Sequence, residues 1–139
     1  MPPSSGFMAR NKEKSMTQLL FEDVREGDQV PPYSNTVGYM ELNQFAAAND
    51  EMDPIHMDPD YAKNIAKLPD VIIMGTLKLA YLANAILNWI GEDGWIKKIS
   101  AEYRRMDVVN STLTARGIVK RMCRDDSENL VELDMWVEN

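Results

Sequence analysis

The chain has 139 residues, the usual length of a single domain. Its 15 Lys and Arg residues against 22 Asp and Glu residues give a net charge of −7, which argues against nucleic acid as a partner. A single Cys and a single His exclude an internal disulfide framework, a Cys-rich metal site and a His-cluster metal site, so any histidine chemistry falls to His56.

The N-terminal segment is predicted to be a disordered tail. Residues 1–18 are rich in Pro, Ser and Gly and then in Arg and Lys, and they lack the apolar core of a secretory signal. The longest uncharged apolar stretch, Leu79 to Gly91, is too short to cross a bilayer. We therefore expect no membrane partner and a cytoplasmic location.

The residues that follow, 19–139, are predicted to form one domain. A short strand is predicted over Ser34 to Val37, after an extended break at Pro31 and Pro32. Apolar side chains at helical spacing predict a helix over Tyr39 to Ala48. A second, shorter helix is predicted over Pro59 to Lys67, with Asp58 as its N-cap, because proline is favoured at the first helical position.

The strongest helical signal covers Thr76 to Ile90, which is apolar on nearly all sides and ends before Gly91. Such a helix must be buried on most sides. The simplest packing wraps an antiparallel sheet around it, and its apolar surface exceeds what one small sheet covers, which favours a dimer or a related subunit. Alternation of apolar and polar residues predicts three half-buried strands, through Ile99–Tyr103, Leu113–Val119 and Val131–Val137.

One predicted loop carries the residues best suited to chemistry. The stretch from Glu51 to His56 contains two carboxylates, a proline and the histidine within six residues. A carboxylate and an imidazole on one stiff loop can move two protons in one step, because one group activates water while the other serves the second proton. The alternative is a helix-capping turn with a surface histidine, which loops rich in Asp and Pro also form.

A second feature is the segment from Val71 to Thr76, in which an apolar run meets Gly75 at the start of the strongest predicted helix. Free backbone N–H groups at a helix N-terminus favour negative charge, and glycine allows a ligand to approach the backbone closely. These residues can form an oxyanion-type site that polarises a thioester carbonyl. The alternative is a plain tight turn before a core helix.

Four stretches, in this order, resemble the MaoC-like, R-specific enoyl-CoA hydratases: Phe21–Asp28, Phe45–Asp58, Ile72–Gly75 and Tyr103–Gly117. The resemblance implies an α+β hot-dog fold, in which an antiparallel sheet wraps around a long central helix. It also implies hydration of trans-2-enoyl-CoA to (R)-3-hydroxyacyl-CoA, or the reverse dehydration. A coenzyme A thioester would be the substrate, with no further cofactor and no metal.

The resemblance also assigns the catalytic positions. His56 stands at the catalytic histidine, and Glu51 stands where the family has its catalytic Asp. Asp53 replaces the usual Asn, and Asp50 is an alternative carboxylate one residue before Glu51. In the family, the carboxylate and the histidine hold a water that adds to C3, and a proton is delivered at C2.

The binding positions follow in the same way. Gly75 stands where a backbone N–H binds the thioester carbonyl, and Met74 replaces a frequent His. Together with Ile72 and Ile73, Met74 would suit a bulky apolar acyl group. Basic residues that could meet the coenzyme A phosphates are Lys97, Lys98, Arg104 and Arg105. The alternative for each of them is a solvated strand end.

The pattern further resembles the small subunits of two-component hydratases from steroid side-chain degradation. It implies a homodimer or a heteromer with a related subunit. The chain stops at Asn139, where the family has one more strand, so we expect a truncated C-terminus or a partner that covers the open edge. Two alternatives remain: a non-catalytic subunit that binds acyl-CoA or supports a partner, and an acyl-CoA thioesterase, against which the loop motif argues.

Overall fold

The chain forms one antiparallel sheet with a long helix packed against it. A computed structural model describes residues 18–124 and 126–139. Its main elements are β1 Gln29–Thr36, α1 Tyr39–Asn49, α2 Gly75–Ile90, β2 Thr112–Arg124 and β3 Asn129–Glu138. Residues 1–17 of the predicted tail lie outside the described residues, and Gln18 donates a hydrogen bond of 2.7 Å from Nε2 to the Ile90 carbonyl at the end of α2.

The strands are ordered β1-β2-β3, so β1 is an edge strand. The predicted strand over Ser34 to Val37 covers only the last part of β1, which begins at Gln29. The predicted break at Pro31 and Pro32 is wrong, because both prolines lie inside β1. The pairing of β1 with β2 shifts register around them. Proline, which lacks an N–H group, is tolerated at such edge irregularities.

Two of the three later strands are confirmed. The predicted strands through Leu113–Val119 and Val131–Val137 lie within β2 and β3, which pair with each other along their length. The third, through Ile99–Tyr103, is wrong: within the described residues no strand pairs with it, and its side chains are exposed. Alternation is a local property, whereas a strand needs ladder hydrogen bonds from a neighbour.

Both shorter helical predictions are borne out in position. The helix predicted over Tyr39 to Ala48 is α1, one residue longer than expected. The predicted Pro59 to Lys67 helix is a wider turn over Tyr61–Ile65, with π-helical hydrogen bonding. As expected of a capping residue, Asp58 accepts two backbone N–H groups at the start of this turn.

α2 confirms the central helix, and it packs against the sheet on one side. Its buried residues are Leu77, Tyr81, Leu82, Ala85 and Ile86. All of these except Ile86 belong to one hydrophobic cluster with Leu113 and Ala115 of β2, where buried residues alternate with more exposed ones. The predicted burial on most sides is met in part by this single chain, because Leu79, Trp89 and Ile90 are partly buried and Leu87 is 45% exposed. No helix in residues 18–124 and 126–139 is long and apolar enough to cross a bilayer.

A cleft of about 1980 Å³ runs along the open side of α2. It lies between α2, the segment of residues 94–107 and β3. The cleft exists because the three-stranded sheet is too narrow to cover the whole apolar surface of the helix. The residues that α2 contributes to its lining include Leu79, Leu82, Ile86, Trp89 and Ile90.

A buried ion pair ties α2 to the segment before β2. Lys78 Nζ contacts the Asp107 carboxylate, and the two side chains are only 12% and 13% exposed. Lys78 also donates to the Arg105 carbonyl at 2.7 Å, and Asp107 accepts from Asn139 Nδ2 at 2.9 Å. Burial raises the pKa of Asp107, but the hydrogen bonds from Lys78 and Asn139 outweigh burial and hold this pKa below its ordinary value.

We expect Asp107→Asn to lower the free energy of unfolding by about 3 kcal/mol near neutral pH, because it leaves Lys78 buried without a counter-charge. The depressed pKa fixes the pH dependence: the stabilisation is complete above the unfolded pKa of about 4 and is lost as pH falls through the folded pKa. Urea denaturation at about pH 7 and about pH 2 measures both effects. A difference between wild type and variant that stays the same at the two pH values would contradict this assignment.

Candidate active site

The first site residue follows directly from the end of α1. The backbone of Asp50 is left-handed, with φ of 53°, and its N–H and that of Glu51 both point to the Ala46 carbonyl. This turn places the Glu51 side chain in the site while Asp50 stays exposed. Asp50 makes no side-chain hydrogen bond or ion pair within residues 18–124 and 126–139, so the structure does not bring this alternative carboxylate to His56.

The next turn, a 3₁₀ turn over Pro54–His56, presents the histidine. Asp53 Oδ1 accepts a hydrogen bond of 3.1 Å from the Ile55 N–H, which caps the turn. The His56 N–H donates to the Asp53 carbonyl at 3.1 Å and closes it. The structure therefore shows Asp53 as the residue that shapes the turn, with one carboxylate oxygen already engaged.

The imidazole of His56 is buried, with 9% of the residue exposed. Its Nδ1 lies 2.7 Å from the Ile72 carbonyl oxygen. Because a carbonyl only accepts, Nδ1 carries the proton and donates it in this hydrogen bond. This bond fixes the ring orientation and leaves Nε2 to face the site.

Glu51 spans two partners through its two carboxylate oxygens. Oε1 lies 3.8 Å from His56 Nε2. Oε2 accepts a hydrogen bond of 2.7 Å from Thr76 Oγ1, at the start of α2. The two residues that the sequence pairs for proton transfer are thus neighbours in the structure, and both lie beside the N-terminus of α2.

The apolar run before α2 contributes mainly backbone to the site. Ile72 receives the His56 hydrogen bond at its carbonyl, and its N–H donates to the Ile55 carbonyl at 3.0 Å. Ile73 and Met74 point into the hydrophobic core and are 3% and 0% exposed. Gly75 opens α2, and no side chain of the described residues caps the helix at Met74. Backbone N–H groups are therefore available at this helix end.

The structure supplies its own reason for glycine at position 75. A Cβ atom there would lie 2.9 Å from carbon atoms of the Tyr103 ring, closer than side chains approach. Tyr103 is 55% exposed and packs directly over the first turn of α2. The sequence predicts that a ligand carbonyl approaches the Gly75 backbone closely. In this structure the Tyr103 ring of the same chain lies close to that backbone.

A polar cluster anchors the backbone just before Ile72. Asp70 accepts from Tyr39 OH and from the Val71 N–H, both at 2.8 Å, and pairs with Lys63 Nζ at 2.9 Å. The hydrogen bond from Lys63 is the largest cause that lowers the pKa of Asp70, and Asp70 in turn raises the pKa values of Tyr39 and Lys63. The cluster joins the start of α1 to the apolar run.

The four basic residues predicted to meet phosphates all line the cleft along α2. Lys97 pairs with Glu128, and Arg104 pairs with Glu102 at 2.9 Å, so two of these charges have acidic neighbours. Across residues 18–124 and 126–139, no group of three or more His, Cys, Asp or Glu side chains is placed to hold a metal ion.

Comparison with known families adds to this geometry. A family model described as "MaoC like domain" matches residues 22–137, which include the whole candidate site. The chain belongs to the MaoC-like dehydratase family. The resemblance read from the four sequence stretches is therefore confirmed, together with the hot-dog fold. Hydratase or dehydratase activity is the general activity class that goes with this membership.

Solved structures share the fold of this MaoC-like chain. The (R)-hydratase from A. caviae involved in PHA biosynthesis has a TM-score of 0.71 and 20% identity, over 84% of this chain and 87% of that chain. R-hydratase PhaJ1 from Pseudomonas aeruginosa, in its unliganded form, has a TM-score of 0.69 and 18% identity, over 84% of this chain and 83% of that chain. A chain of the ChsH1-ChsH2 complex from Mycobacterium tuberculosis has a TM-score of 0.67 and 17% identity, over 81% of this chain and 87% of that chain. A comparison with curated protein sequences finds no match.

Two residues of the MaoC-like site were not singled out from the sequence as site residues. Thr76 reaches Glu51 from the second position of α2, and Tyr103 covers Gly75 from the segment before β2. The position of Thr76, directly after the glycine at a helix start, is a signal that the sequence does contain. Tyr103 gave no such signal, because its contact with Gly75 depends on how the segment folds back over α2.

Proposed function

We propose that the chain hydrates trans-2-enoyl-CoA to (R)-3-hydroxyacyl-CoA, or catalyses the reverse dehydration. The observation that carries this proposal is the 3.8 Å distance between Glu51 Oε1 and His56 Nε2. This distance is too long for a direct hydrogen bond, and a water oxygen at about 2.8 Å from each atom fits between them. A carboxylate and an imidazole can therefore hold the same nucleophile.

The two groups would carry complementary proton transfers. Glu51 takes a proton from the water as the water oxygen bonds to C3, and the electron pair of the C2–C3 double bond shifts toward the thioester carbonyl. His56 acts as an imidazolium, with one proton on Nδ1 held by the Ile72 carbonyl and a second on Nε2, and it delivers the Nε2 proton to C2. The proton gained by Glu51 then returns to His56 Nε2 through the next water that binds between them, which restores both groups. Only protons and water move, so the chemistry requires neither a metal nor a redox cofactor.

The thioester carbonyl would bind at the N-terminus of α2. Negative charge develops on this oxygen while C3 is attacked, and uncapped backbone N–H groups of a helix stabilise such charge. The Gly75 N–H is the donor that the sequence pattern assigns to this role. Support comes from the position of α2: Thr76 in its first turn contacts Glu51, and Ile72, three residues before Gly75, contacts His56.

A second proposal concerns assembly and is favoured by the open side of α2. We propose that a second copy of the chain, or a related MaoC-like subunit, covers the cleft along this helix. The exposed apolar surface there supports the proposal, since Trp95, Met106 and Trp136 line the cleft and are 73%, 67% and 43% exposed. In the heteromeric case the chain can serve a catalytic partner without turning over substrate itself. Native mass spectrometry separates the two assemblies.

The test of activity is a spectrophotometric hydratase assay over short, long and steroid-side-chain enoyl-CoAs. We expect the enoyl-thioester absorbance to fall as water adds, without release of free coenzyme A thiol. The assay is run on the chain alone and together with any subunit that co-purifies with it. Release of thiol without hydration would show a thioesterase, and no turnover in either form would leave only the non-catalytic subunit.

A further inference from the structure

We infer that Thr76 is a positioning residue that holds Glu51 in its reactive orientation. The inference rests on the proposed hydratase function and adds a residue to its machinery. Thr76 does not need to touch the substrate for this role. It acts through the carboxylate of Glu51: Thr76 binds one carboxylate oxygen, Oε2, and the other oxygen, Oε1, faces His56.

The geometry assigns different tasks to the two oxygens of Glu51. Oε2 accepts a hydrogen bond of 2.7 Å from Thr76 Oγ1, and Oε1 lies 3.8 Å from His56 Nε2. The carboxylate is planar and rigid, so fixing Oε2 also fixes the direction of Oε1. The Thr76 hydroxyl therefore determines where the water-holding oxygen lies.

Glu51 depends on such an anchor. Its side chain has three rotatable bonds and is 32% exposed, so water competes for its carboxylate. Within residues 18–124 and 126–139, the Thr76 hydroxyl is the one side-chain group that donates a hydrogen bond to this carboxylate. A displacement of about 1 Å at a reacting group can reduce the rate by about two orders of magnitude, so the orientation is a catalytic requirement.

Thr76 is well suited to provide the anchor. It occupies the second position of α2, a rigid helix of sixteen residues, and its β-branched side chain has few rotamers in a helix. The extra methylene of Glu51, relative to the Asp of the family pattern, carries the carboxylate out to this hydroxyl. The longer acid and its anchor thus form one unit in this chain.

The experiment measures kcat and KM for hydration by wild type, Thr76→Val and Thr76→Ser. Valine keeps the branched shape and removes the hydroxyl, whereas serine keeps the hydroxyl. We expect Thr76→Val to lower kcat about tenfold, the rate equivalent of one hydrogen bond to a charged group, with little change in KM. Thr76→Ser should restore most of kcat. Thr76 is exposed, so the melting temperature should stay near that of wild type.

A double-mutant cycle with Glu51→Asp tests the coupling directly. The shorter acid cannot reach the Thr76 hydroxyl while facing His56, so Thr76→Val should have almost no further effect on kcat in that background. Equal losses in both backgrounds, or a kcat for Thr76→Val within twofold of wild type, would overturn the inference. A wild-type chain without hydratase activity would instead overturn the proposed function, and the inference would fall with it.

Discussion

Replacement of His56 by Ala is expected to lower kcat for enoyl-CoA hydration by about 10²- to 10⁴-fold, the usual contribution of a general acid–base group. The loss follows from removal of Nε2, which lies 3.8 Å from Glu51 Oε1 and faces the site. No other histidine exists in the chain to replace it. Steady-state kinetics on purified variant measure the effect, and an unchanged kcat would contradict the assignment of His56.

The control separates chemistry from folding. His56 is buried and its Nδ1 donates to the Ile72 carbonyl, so alanine also leaves that carbonyl without its partner. His56→Asn places an amide N–H near the position of Nδ1 and lacks an equivalent of Nε2. We expect the melting temperature of this variant to lie closer to that of wild type than the melting temperature of His56→Ala does. We expect the two variants to be equally inactive. Recovered activity in His56→Asn would show that the Ile72 contact, and not Nε2, is what the reaction needs.

Glu51→Gln is expected to lower kcat by about 10²- to 10³-fold, because an amide cannot take a proton from the attacking water. The amide oxygen can still accept the Thr76 hydrogen bond, so the loop should keep its place and the fold its stability. Kinetics and thermal unfolding are measured on the same preparation. A variant with wild-type kcat would remove Glu51 from the mechanism.

The matched control for this acid is its neighbour. Asp50→Asn removes a carboxylate one residue away, at a left-handed position that Asn also adopts easily. The Asp50 side chain is exposed and does not meet His56 in the described structure, so activity should stay close to that of wild type. A large loss in Asp50→Asn with a small loss in Glu51→Gln would transfer the role of base to Asp50.

The sequence predicts the features that depend on neighbouring residues. The helix from Gly75 to Ile90, the strands β2 and β3, and the loop that carries Glu51 and His56 follow from local periodicity and from the order of motifs. The capping role of Asp58 follows from its place before a proline.

Features that depend on distant contacts were not predicted. Alternation at Ile99–Tyr103 predicts a strand, but pairing needs a neighbouring strand that the described chain does not place there. Pro31 and Pro32 fit inside β1 because it is an edge strand with a shifted register, which local sequence does not reveal. The Thr76 to Glu51 hydrogen bond joins residues 25 positions apart, and only the fold brings them together.

The hydrogen bond from His56 Nδ1 to the Ile72 carbonyl has a consequence for the accuracy of the whole site. Ile72 is three residues before Gly75 on a segment whose next two side chains are locked into the core. The same short segment of backbone therefore holds both the histidine ring and the helix end that would bind the thioester carbonyl. Under the proposed hydration, this shared backbone segment would set the distance between the groups that act on C1 and C3 of the bound thioester.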